Sequence, residues 1–244
     1  MNPTFAYVYD AFLSDRKHER ELAQVETELA RLGVEGKVIR LSMFRQAREL
    51  IADALRVGVR NLVFVGNDRT FQSALPYLPS FDLTVGFIPF EKSGVIAQAL
   101  GIPTGVLAAE VLAARRIEMF DLGTCDGRPF LIDAVVPIPG SSLEVEGRYR
   151  VGSDTAHLEI RNLVGSRADD GELDAHFVPA EPSGLFAKWR ERVLGKETHL
   201  LFKQGTLTCP PGSSLVLDGE AVAGSSFSFG VLPRALKCIV GKTR

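Results

Sequence analysis

A polar five-residue turn follows a short apolar run, and its residue types could meet a phosphate group. The turn, 66–70, reads Gly-Asn-Asp-Arg-Thr and comes directly after Leu62–Val65. In open α/β sheets, ligands bind at the carboxyl ends of parallel strands, where glycines let the backbone approach phosphate oxygens. A polar turn that merely ends a strand is the commoner structure for such a sequence. Both interpretations stay open from these five residues alone.

Other nucleotide-binding and catalytic motifs are missing from the sequence. No two glycines have the Gly-x-Gly spacing of a dinucleotide fingerprint, and the ending 241–243 lacks the preceding glycine of a P-loop because Leu236 stands there. The four histidines are isolated, which argues against a zinc site, and no Gly-x-Ser-x-Gly elbow supplies a hydrolase serine. Cys125, Cys209 and Cys238 lie far apart, so we expect free, buried thiols in a reducing compartment.

Composition narrows the class of protein. The chain has 244 residues, of which 45% are hydrophobic and 24% charged, and its net charge is −2. Neither half is basic, so we expect no nucleic-acid partner. The first residues do not form a signal peptide, and no apolar stretch approaches the roughly 20 residues of a membrane span. We therefore expect a cytoplasmic protein.

The first half alternates short apolar strands with amphipathic helices. Such an order predicts a parallel sheet covered by helices. The predicted strands are Phe5–Tyr9, Val38–Leu41, Leu62–Val65 and Leu83–Ile88, and the Ala-rich segment Leu107–Ala114 is a predicted helix. From about residue 115 onward, strands follow one another, separated by Gly, Pro and Asp, which predicts antiparallel sheets. The predicted fold is α/β plus β, with domains at 1–115 and 116–244.

Two segments of the first half resemble the lipid kinases of the diacylglycerol-kinase and sphingosine-kinase type. Gly66, Asp68 and Thr70 match positions of the Gly-Gly-Asp-Gly-Thr turn that this family shares with the related NAD kinases. Residues 86–103, GFIPFEKSGVIAQALGIP, are similar to the family's G-x-x-P-x-G-T-x-N-D-F-A-R-x-L-G-I-P segment. The resemblance therefore covers the expected phosphate site and the segment after the next strand.

The second half carries further family markers in the family's order. Residues 116–123 with 127–130 resemble a strand pair, 169–174 resembles an Asp-Asp-Gly-x-Leu-Asp stretch, 217–220 matches Leu-Asp-Gly-Glu, and 227–236 is similar to a C-terminal run. Their order along the chain is a stronger indication than any single motif. The resemblance implies a nucleotide-kinase-like first domain, a β-rich second domain, and a C-terminal strand that returns to the first.

The resemblance also implies cofactors and site residues. ATP with Mg²⁺ would be the cofactor of an active member, held by Gly66, Asn67, Asp68, Thr70, Lys92 and Ser93. Asp218 and Glu220 would take the catalytic-base role, although Asp218-Gly219 could equally be a simple hairpin turn. Asp169 and Asp170 could bind a divalent ion as hard oxygen ligands, or form a solvated acidic turn.

Several departures from the family pattern predict impaired phosphoryl transfer. Asn67 and Arg69 replace glycines, so their side chains would occupy the space that phosphates need, and a β-carbon at a positive φ would add strain. Lys92 and Gly94 stand where Thr and Asn are expected, and a glycine-rich loop before Asp169 is missing. Arg69 and Lys92 could neutralise an anion, or fill a dead pocket and pair with carboxylates.

Two functions from different classes therefore remain. The first is a catalytically impaired, pseudokinase-like binding or regulatory module, paired with an active kinase paralogue. The second is an ATP-dependent kinase that phosphorylates a lipid hydroxyl. The predicted helix Leu185–Leu194 has one apolar face and a basic opposite face, so it could lie on a lipid or membrane surface, although such a stripe is more often packing.

Overall fold

The computed structural model describes residues 5–40, 47–90, 94–163, 169–179 and 198–242. These residues form two compact units. The first comprises the described residues up to Phe120 together with those from Arg234 onward, and the second comprises the described residues of Asp121–Pro233. The predicted helix Leu185–Leu194 lies outside the described residues.

The first unit is built on a parallel sheet. Its strands are β1 (Phe5–Tyr9), β2 (Lys37–Arg40), β3 (Asn61–Gly66) and β4 (Thr84–Pro89), in the order β2-β1-β3-β4. β1 pairs with both β2 and β3 in parallel, and β3 pairs in parallel with β4. Every residue of β1, β3 and β4 is buried, as expected for parallel strands that are covered on both faces.

Five helices belong to the described part of this unit. They are α1 (Arg16–Arg31), α2 (Ala47–Arg56), α3 (Asp68–Ala74), α4 (Val95–Ala99) and α5 (Leu107–Ala114). α1 buries Val25 and Leu29 one turn apart, as its predicted apolar face requires. The short helices α3 and α4 were not predicted, because the polar residues at 67–70 indicated a turn rather than the first turn of a helix.

The second unit is antiparallel. One sheet of this unit has six strands, which are β7 (Asp133–Val136), β10 (Ala156–Arg161), β11 (Leu173–Pro179), β12 (Thr198–Phe202), β14 (Ser214–Leu217) and β15 (Glu220–Ala223). Their order across the sheet is β12-β11-β10-β7-β14-β15. Within this unit, β8 (Ser141–Val145), β9 (Tyr149–Ser153) and β13 (Gly205–Thr208) form further antiparallel pairs, and β5 (Ile117–Cys125) pairs with β6 (Arg128–Phe130). Alternating burial along β8 and β10 places one face of each strand in the core.

The core of the second unit joins side chains from both sets of strands. Leu143, Leu207 and Phe229 pack in one buried cluster with Leu158 and Ala175. The six-stranded sheet and the antiparallel strands β8 and β13 share one core in this way, as the two layers of a sandwich do. Most hydroxyl and charged residues of these strands are more exposed than their apolar neighbours, although Ser141 and Asp174 are buried.

The last described strand, β16 (Ser226–Ile239), is 14 residues long. Its beginning pairs antiparallel with β13 in the second unit, and its end pairs in parallel with β4 through Lys237 and Cys238 in the first unit. Arg234 has a φ of 49°, which marks an irregularity where the strand passes from one unit to the other. The structure confirms the predicted fold class of an α/β domain plus an antiparallel β domain. Among the described residues, no helix combines the length and apolarity needed to cross a membrane.

Candidate functional site

The turn at the end of β3 is the beginning of helix α3. Asn67 is the N-cap residue: its side-chain Oδ1 accepts from the backbone N–H of Thr70 (3.2 Å), while its own N–H donates to Thr70 Oγ1 (3.0 Å). This reciprocal pair is a capping box, with Thr70 in the position that Glu or Gln usually takes. Two backbone N–H groups at the end of the strand are thereby satisfied inside the turn.

The Thr70 hydroxyl connects this turn to the end of β1. Thr70 is 1% exposed, and its Oγ1 donates to Asp10 Oδ2 at 2.7 Å. Asp10 Oδ1 in turn accepts from the backbone N–H of Phe12 at 3.2 Å. A Cβ on Gly66 would overlap Thr70 Oγ1 and lie 3.0 Å from Asp10 Cβ. Gly66 is therefore required by close packing against Thr70.

Asp68 faces the beginning of helix α4. Its Oδ2 accepts from the backbone N–H of Ile96 at 3.2 Å. A Cβ on Gly94 would lie 2.5 Å from Asp68 Oδ1, so the absence of a side chain at Gly94 makes room for this carboxylate. The carboxylate thus satisfies an N–H in the first turn of the next helix.

The expected strain at Asn67 is absent, and this corrects the sequence-based argument. Asn67 has φ −120° and ψ −177°, which is extended backbone that any residue adopts. Arg69 is an exposed residue within the first turn of α3. The prediction failed because the helix begins immediately after the strand, so no residue at 67–70 needs a left-handed conformation.

The turn at the end of β3 uses several of its hydrogen-bonding groups internally. The N–H groups of Asn67 and Thr70 bond within the turn, and the carboxylates of Asp10 and Asp68 lie on either side of it. A phosphate that approached the N–H groups of Asn67 and Thr70 would therefore meet occupied donors and nearby negative charge. Gly66, Asn67, Asp68 and Thr70 all lie in this turn, and their predicted role in binding ATP stays a prediction. Lys92 and Ser93 lie outside the described residues.

Asp218 occupies a hairpin turn in the second unit. Asp218 and Gly219 have φ values of 47° and 85° and join β14 to β15, as a two-residue turn requires. The carboxylate accepts from three backbone N–H groups, those of Leu131 (2.8 Å), Ile132 (2.8 Å) and Asp133 (3.1 Å). Burial raises the pKa of Asp218, although these hydrogen bonds favour its ionised form. In this position the carboxylate anchors the backbone.

Asn162, which the sequence did not single out, donates hydrogen bonds to backbone carbonyl oxygens of the same segment. Its Nδ2 donates to the backbone oxygens of Leu131 (2.8 Å) and Asp121 (2.9 Å), and its backbone N–H donates to Ile132 O at 2.8 Å. Asn162 is only 3% exposed. Buried side chains thus serve both the N–H and the C=O groups of an irregular segment, which otherwise would lack partners. No local sequence pattern marks these contacts.

Asp133 is a second acid that the sequence did not single out. Burial, together with the nearby Asp218 and Glu159 carboxylates, raises the pKa of Asp133 to about 6, while Arg161 opposes the shift. An acid with a pKa close to neutrality suits a general acid–base role better than an ordinary aspartate does. The residue sits at the start of β7, and its own N–H donates to Asp218 Oδ1.

The other predicted acids lie in two different environments. Glu220 is the first residue of β15 and forms an ion pair with Arg128, in which both side chains are largely exposed. Asp170 Oδ1 accepts from the N–H of Glu172 at 3.1 Å, which is a local turn contact. The buried Asp121 accepts from Gly171 N–H at 2.6 Å and so fixes that turn. In the part of the chain that the structure describes, no cluster of three or more His, Cys, Asp or Glu side chains is arranged to hold a metal ion.

Comparison with known proteins gives one clear result. The chain matches no protein-family model and no curated protein. Solved structures do match: a diacylglycerol kinase from Bacillus anthracis str. Sterne is 13% identical, with a TM-score of 0.78 over 98% of this chain and 97% of that one. Two further chains from the same strain have TM-scores of 0.78 and 0.77, at 14% and 13% identity, and each match covers 98% of this chain. At 13–14% identity these matches show the fold alone, and this chain has the fold of these diacylglycerol kinase structures.

Proposed function

We propose that this chain is a diacylglycerol-kinase-like protein that has lost most or all phosphoryl transfer and acts as a binding or regulatory module. The fold supports the lipid-kinase relationship. The residues at the end of β3 support the loss of phosphoryl transfer, because this reaction depends on free, preorganised hydrogen-bond donors around the transferred group.

The closed turn at Asn67–Thr70 is the observation that carries this proposal. Two of its four backbone N–H groups, those of Asn67 and Thr70, are occupied by the capping box, and the Thr70 hydroxyl is occupied by Asp10. Loss of even one preorganised donor costs about 3 kcal/mol of transition-state stabilisation. Two occupied N–H groups and one occupied hydroxyl, flanked by two carboxylates, weaken the ability of this turn to hold a phosphate.

Two kinds of partner suit such a module. A lipid surface is one, since the fold is shared with kinases of diacylglycerol, and an active kinase paralogue is the other. We place the protein in the cytoplasm for these roles. A kinase fold without transfer could act by competing for the lipid or by binding the active enzyme.

A nucleotide-binding experiment tests the proposal first. We expect ATP and ADP, with and without Mg²⁺, to leave the melting temperature unchanged, because a ligand that does not bind the folded state cannot stabilise it. The double variant Asn67→Gly with Arg69→Gly opens the turn, and Asn67→Asp is its matched control because aspartate keeps the cap. Magnesium-dependent stabilisation of the unmodified protein by ATP would contradict the proposal.

A transfer assay with radiolabelled ATP and a lipid panel completes the test. We expect no labelled diacylglycerol or related lipid above the level of a no-protein control. Asp218→Ala is a poor active-site control here, because the loss of three hydrogen bonds to the backbone would destabilise the second unit as well. Asp133→Asn and Glu220→Gln are better controls, because each removes an acid while the Asp218 carboxylate and its hydrogen bonds to the backbone are kept.

A working lipid kinase is the alternative, and the pKa of Asp133 is the observation that favours it. A half-buried aspartate with a pKa of about 6 could accept a proton from a lipid hydroxyl near neutral pH. Robust turnover by the unmodified protein, lost in Asp133→Asn while the fold is retained, would establish this alternative.

A further inference from the structure

An open groove lies on the outer face of the second unit and is separate from the residues discussed above. Its volume is about 510 Å³. It is lined by polar side chains, which are Thr124, Glu144, Glu146, Gln204, Thr206 and Ser228, and by four glycines. The buried Phe229 lies beneath them as part of the core.

Strand register explains why these side chains share one face. Thr206 of β13 lies opposite Glu144 of β8 on one side and opposite Ser228 of β16 on the other. Directly opposed residues on neighbouring antiparallel strands have Cβ atoms about 5 Å apart. The three side chains therefore form a continuous polar row across three strands, with a spacing that suits neighbouring hydroxyl groups of one ligand.

Two hairpin turns form the ends of this row, and hydrogen bonds fix both. Glu146 begins the turn between β8 and β9, and its N–H donates to Gln204 O at 3.0 Å. Asp126 begins the turn between β5 and β6; its N–H donates to Ser228 O, and its Oδ1 accepts from Ser228 N–H, both at 2.8 Å. The groove is therefore preformed, which lowers the entropic cost of binding.

Gly230 leaves open space in the groove because it has no side chain. A Cβ on Gly230 would lie 3.0 Å from Thr124 Oγ1, so any larger side chain at this position would crowd the hydroxyl. Gly230 is not in the left-handed region, and its lack of a side chain therefore reflects space rather than backbone conformation. The space lies directly beside the polar row.

The charges and hydrogen-bonding groups of the lining select the ligand. Of the described residues that line the groove, none is Lys, Arg or His, and two are glutamates, so an anion would be repelled. Glu144 is already paired with Arg150 at 2.8 Å, which reduces the attraction for a cation. What remains are hydroxyls that both donate and accept, together with carboxylate and amide oxygens that accept.

We propose that this groove binds a neutral polyhydroxylated ligand, either a free polyol or sugar or the glycosyl headgroup of a lipid. Each ligand hydroxyl would donate to a glutamate or glutamine oxygen and accept from a threonine or serine. Binding here does not depend on phosphoryl transfer, because the groove uses none of the residues at the end of β3.

An NMR titration of the full chain tests this assignment. Glycerol, myo-inositol and methyl α-glucoside are the probes, and choline and inorganic phosphate are the charged comparisons. We expect saturable amide shifts at Thr206, Ser228 and Gly230 with at least one neutral probe, and none with phosphate. Thr206→Val removes one hydroxyl and should weaken binding roughly three- to tenfold, as loss of one hydrogen bond predicts.

Thr208→Val is the matched control, because Thr208 is exposed on the same strand and face but does not line the groove. It should bind the probes as the unmodified protein does. Ser228→Ala provides a second test variant if Thr206→Val is poorly folded. The absence of saturable shifts with all neutral probes, equal weakening by Thr208→Val, or tighter binding of choline would each overturn the proposal.

Co-sedimentation with vesicles identifies the source of the ligand. Phosphatidylcholine vesicles with and without a glycosyl diacylglycerol are compared, using the unmodified protein and Thr206→Val. Binding that requires the glycolipid and is weakened by Thr206→Val supports a headgroup. Saturable shifts with free probes but no vesicle binding support a soluble polyol.

Discussion

At the scale of single residues, Asp218 is the side chain whose role the structure describes most fully. Its carboxylate accepts three backbone N–H groups from residues 131–133, and its own backbone is left-handed, a conformation that Asp tolerates better than Ala. We expect Asp218→Ala to lower the free energy of unfolding by about 3 kcal/mol or more, because buried donors lose their acceptor. Urea denaturation measures this loss.

Two variants separate this anchoring role from a general effect of charge. Asp218→Asn keeps one acceptor oxygen and should cost less than Asp218→Ala. Glu220→Gln removes a nearby exposed charge and should change stability by less than about 0.5 kcal/mol, as expected for a surface ion pair. Equal stability of Asp218→Ala and the unmodified protein would show that the three hydrogen bonds contribute little.

The raised pKa of Asp133 predicts how the stability of the protein depends on pH. Its pKa rises from the ordinary 3.8 to about 6 in the folded protein, so between these values the folded state holds a proton that the unfolded state has released. The contribution of Asp133 to stability therefore falls as pH rises from about 4 to about 6. Asp133→Asn should flatten this dependence relative to the unmodified protein, as measured by urea denaturation across that pH range. An unchanged pH dependence in the variant would contradict the raised pKa.

At the scale of elements, helix α3 depends on its cap. Asn67→Ala removes the oxygen that accepts from Thr70 N–H and should lower stability by about 1 kcal/mol, whereas Asn67→Asp should be nearly neutral because it retains an acceptor. Thermal melts of the three proteins measure the difference. A cap that contributes nothing would give equal melting temperatures for Asn67→Ala and Asn67→Asp.

The same element shows what the sequence could and could not predict. β3 was predictable because a short, fully apolar run is typical of a buried parallel strand. Its neighbours β1 and β4 were predictable for the same reason. The beginning of α3 was not, because Asn67 serves equally well in a turn and as a helix cap. The choice between these depends on Asp10, which reaches Thr70 from a distant part of the chain.

Site residues were harder to predict than strands for a related reason. The Leu-Asp-Gly-Glu motif located Asp218 and a hairpin turn correctly, but its partners at residues 131–133 lie in a segment without any motif. Asp133 and Asn162 likewise owe their properties to burial and to neighbours far along the chain. Local spacing carries no information about such contacts.

At the scale of the whole molecule, β16 makes the first unit depend on residues that follow the second. Leu236, Cys238, Ile239 and Val240 are at most 2% exposed, and the end of the strand pairs with β4. Their burial contributes roughly 5–10 kcal/mol, which is comparable with the entire stability of a domain. Ending the chain after Pro233 should therefore abolish cooperative unfolding of the first unit, as monitored by NMR.

A chain that ends after Lys242 is the matched control for this truncation. It retains β16, together with the hydrogen bond from Gly241 N–H to Leu100 O at 3.0 Å. We expect the spectrum and the melting temperature of the unmodified protein. A cooperative, native-like first unit in the chain that ends at Pro233 would show that the strand is dispensable.

The course of β16 also has a consequence for synthesis on the ribosome. Domains usually fold in the order of their translation, but here the parallel sheet of the first unit lacks a strand until residues 234–239 have emerged. The second unit, continuous from Asp121 to Pro233, is complete earlier. During that interval the edge of β4 offers unpaired N–H and C=O groups to any neighbouring nascent chain. We therefore expect translation speed and chaperone binding over this interval to affect the yield of native protein.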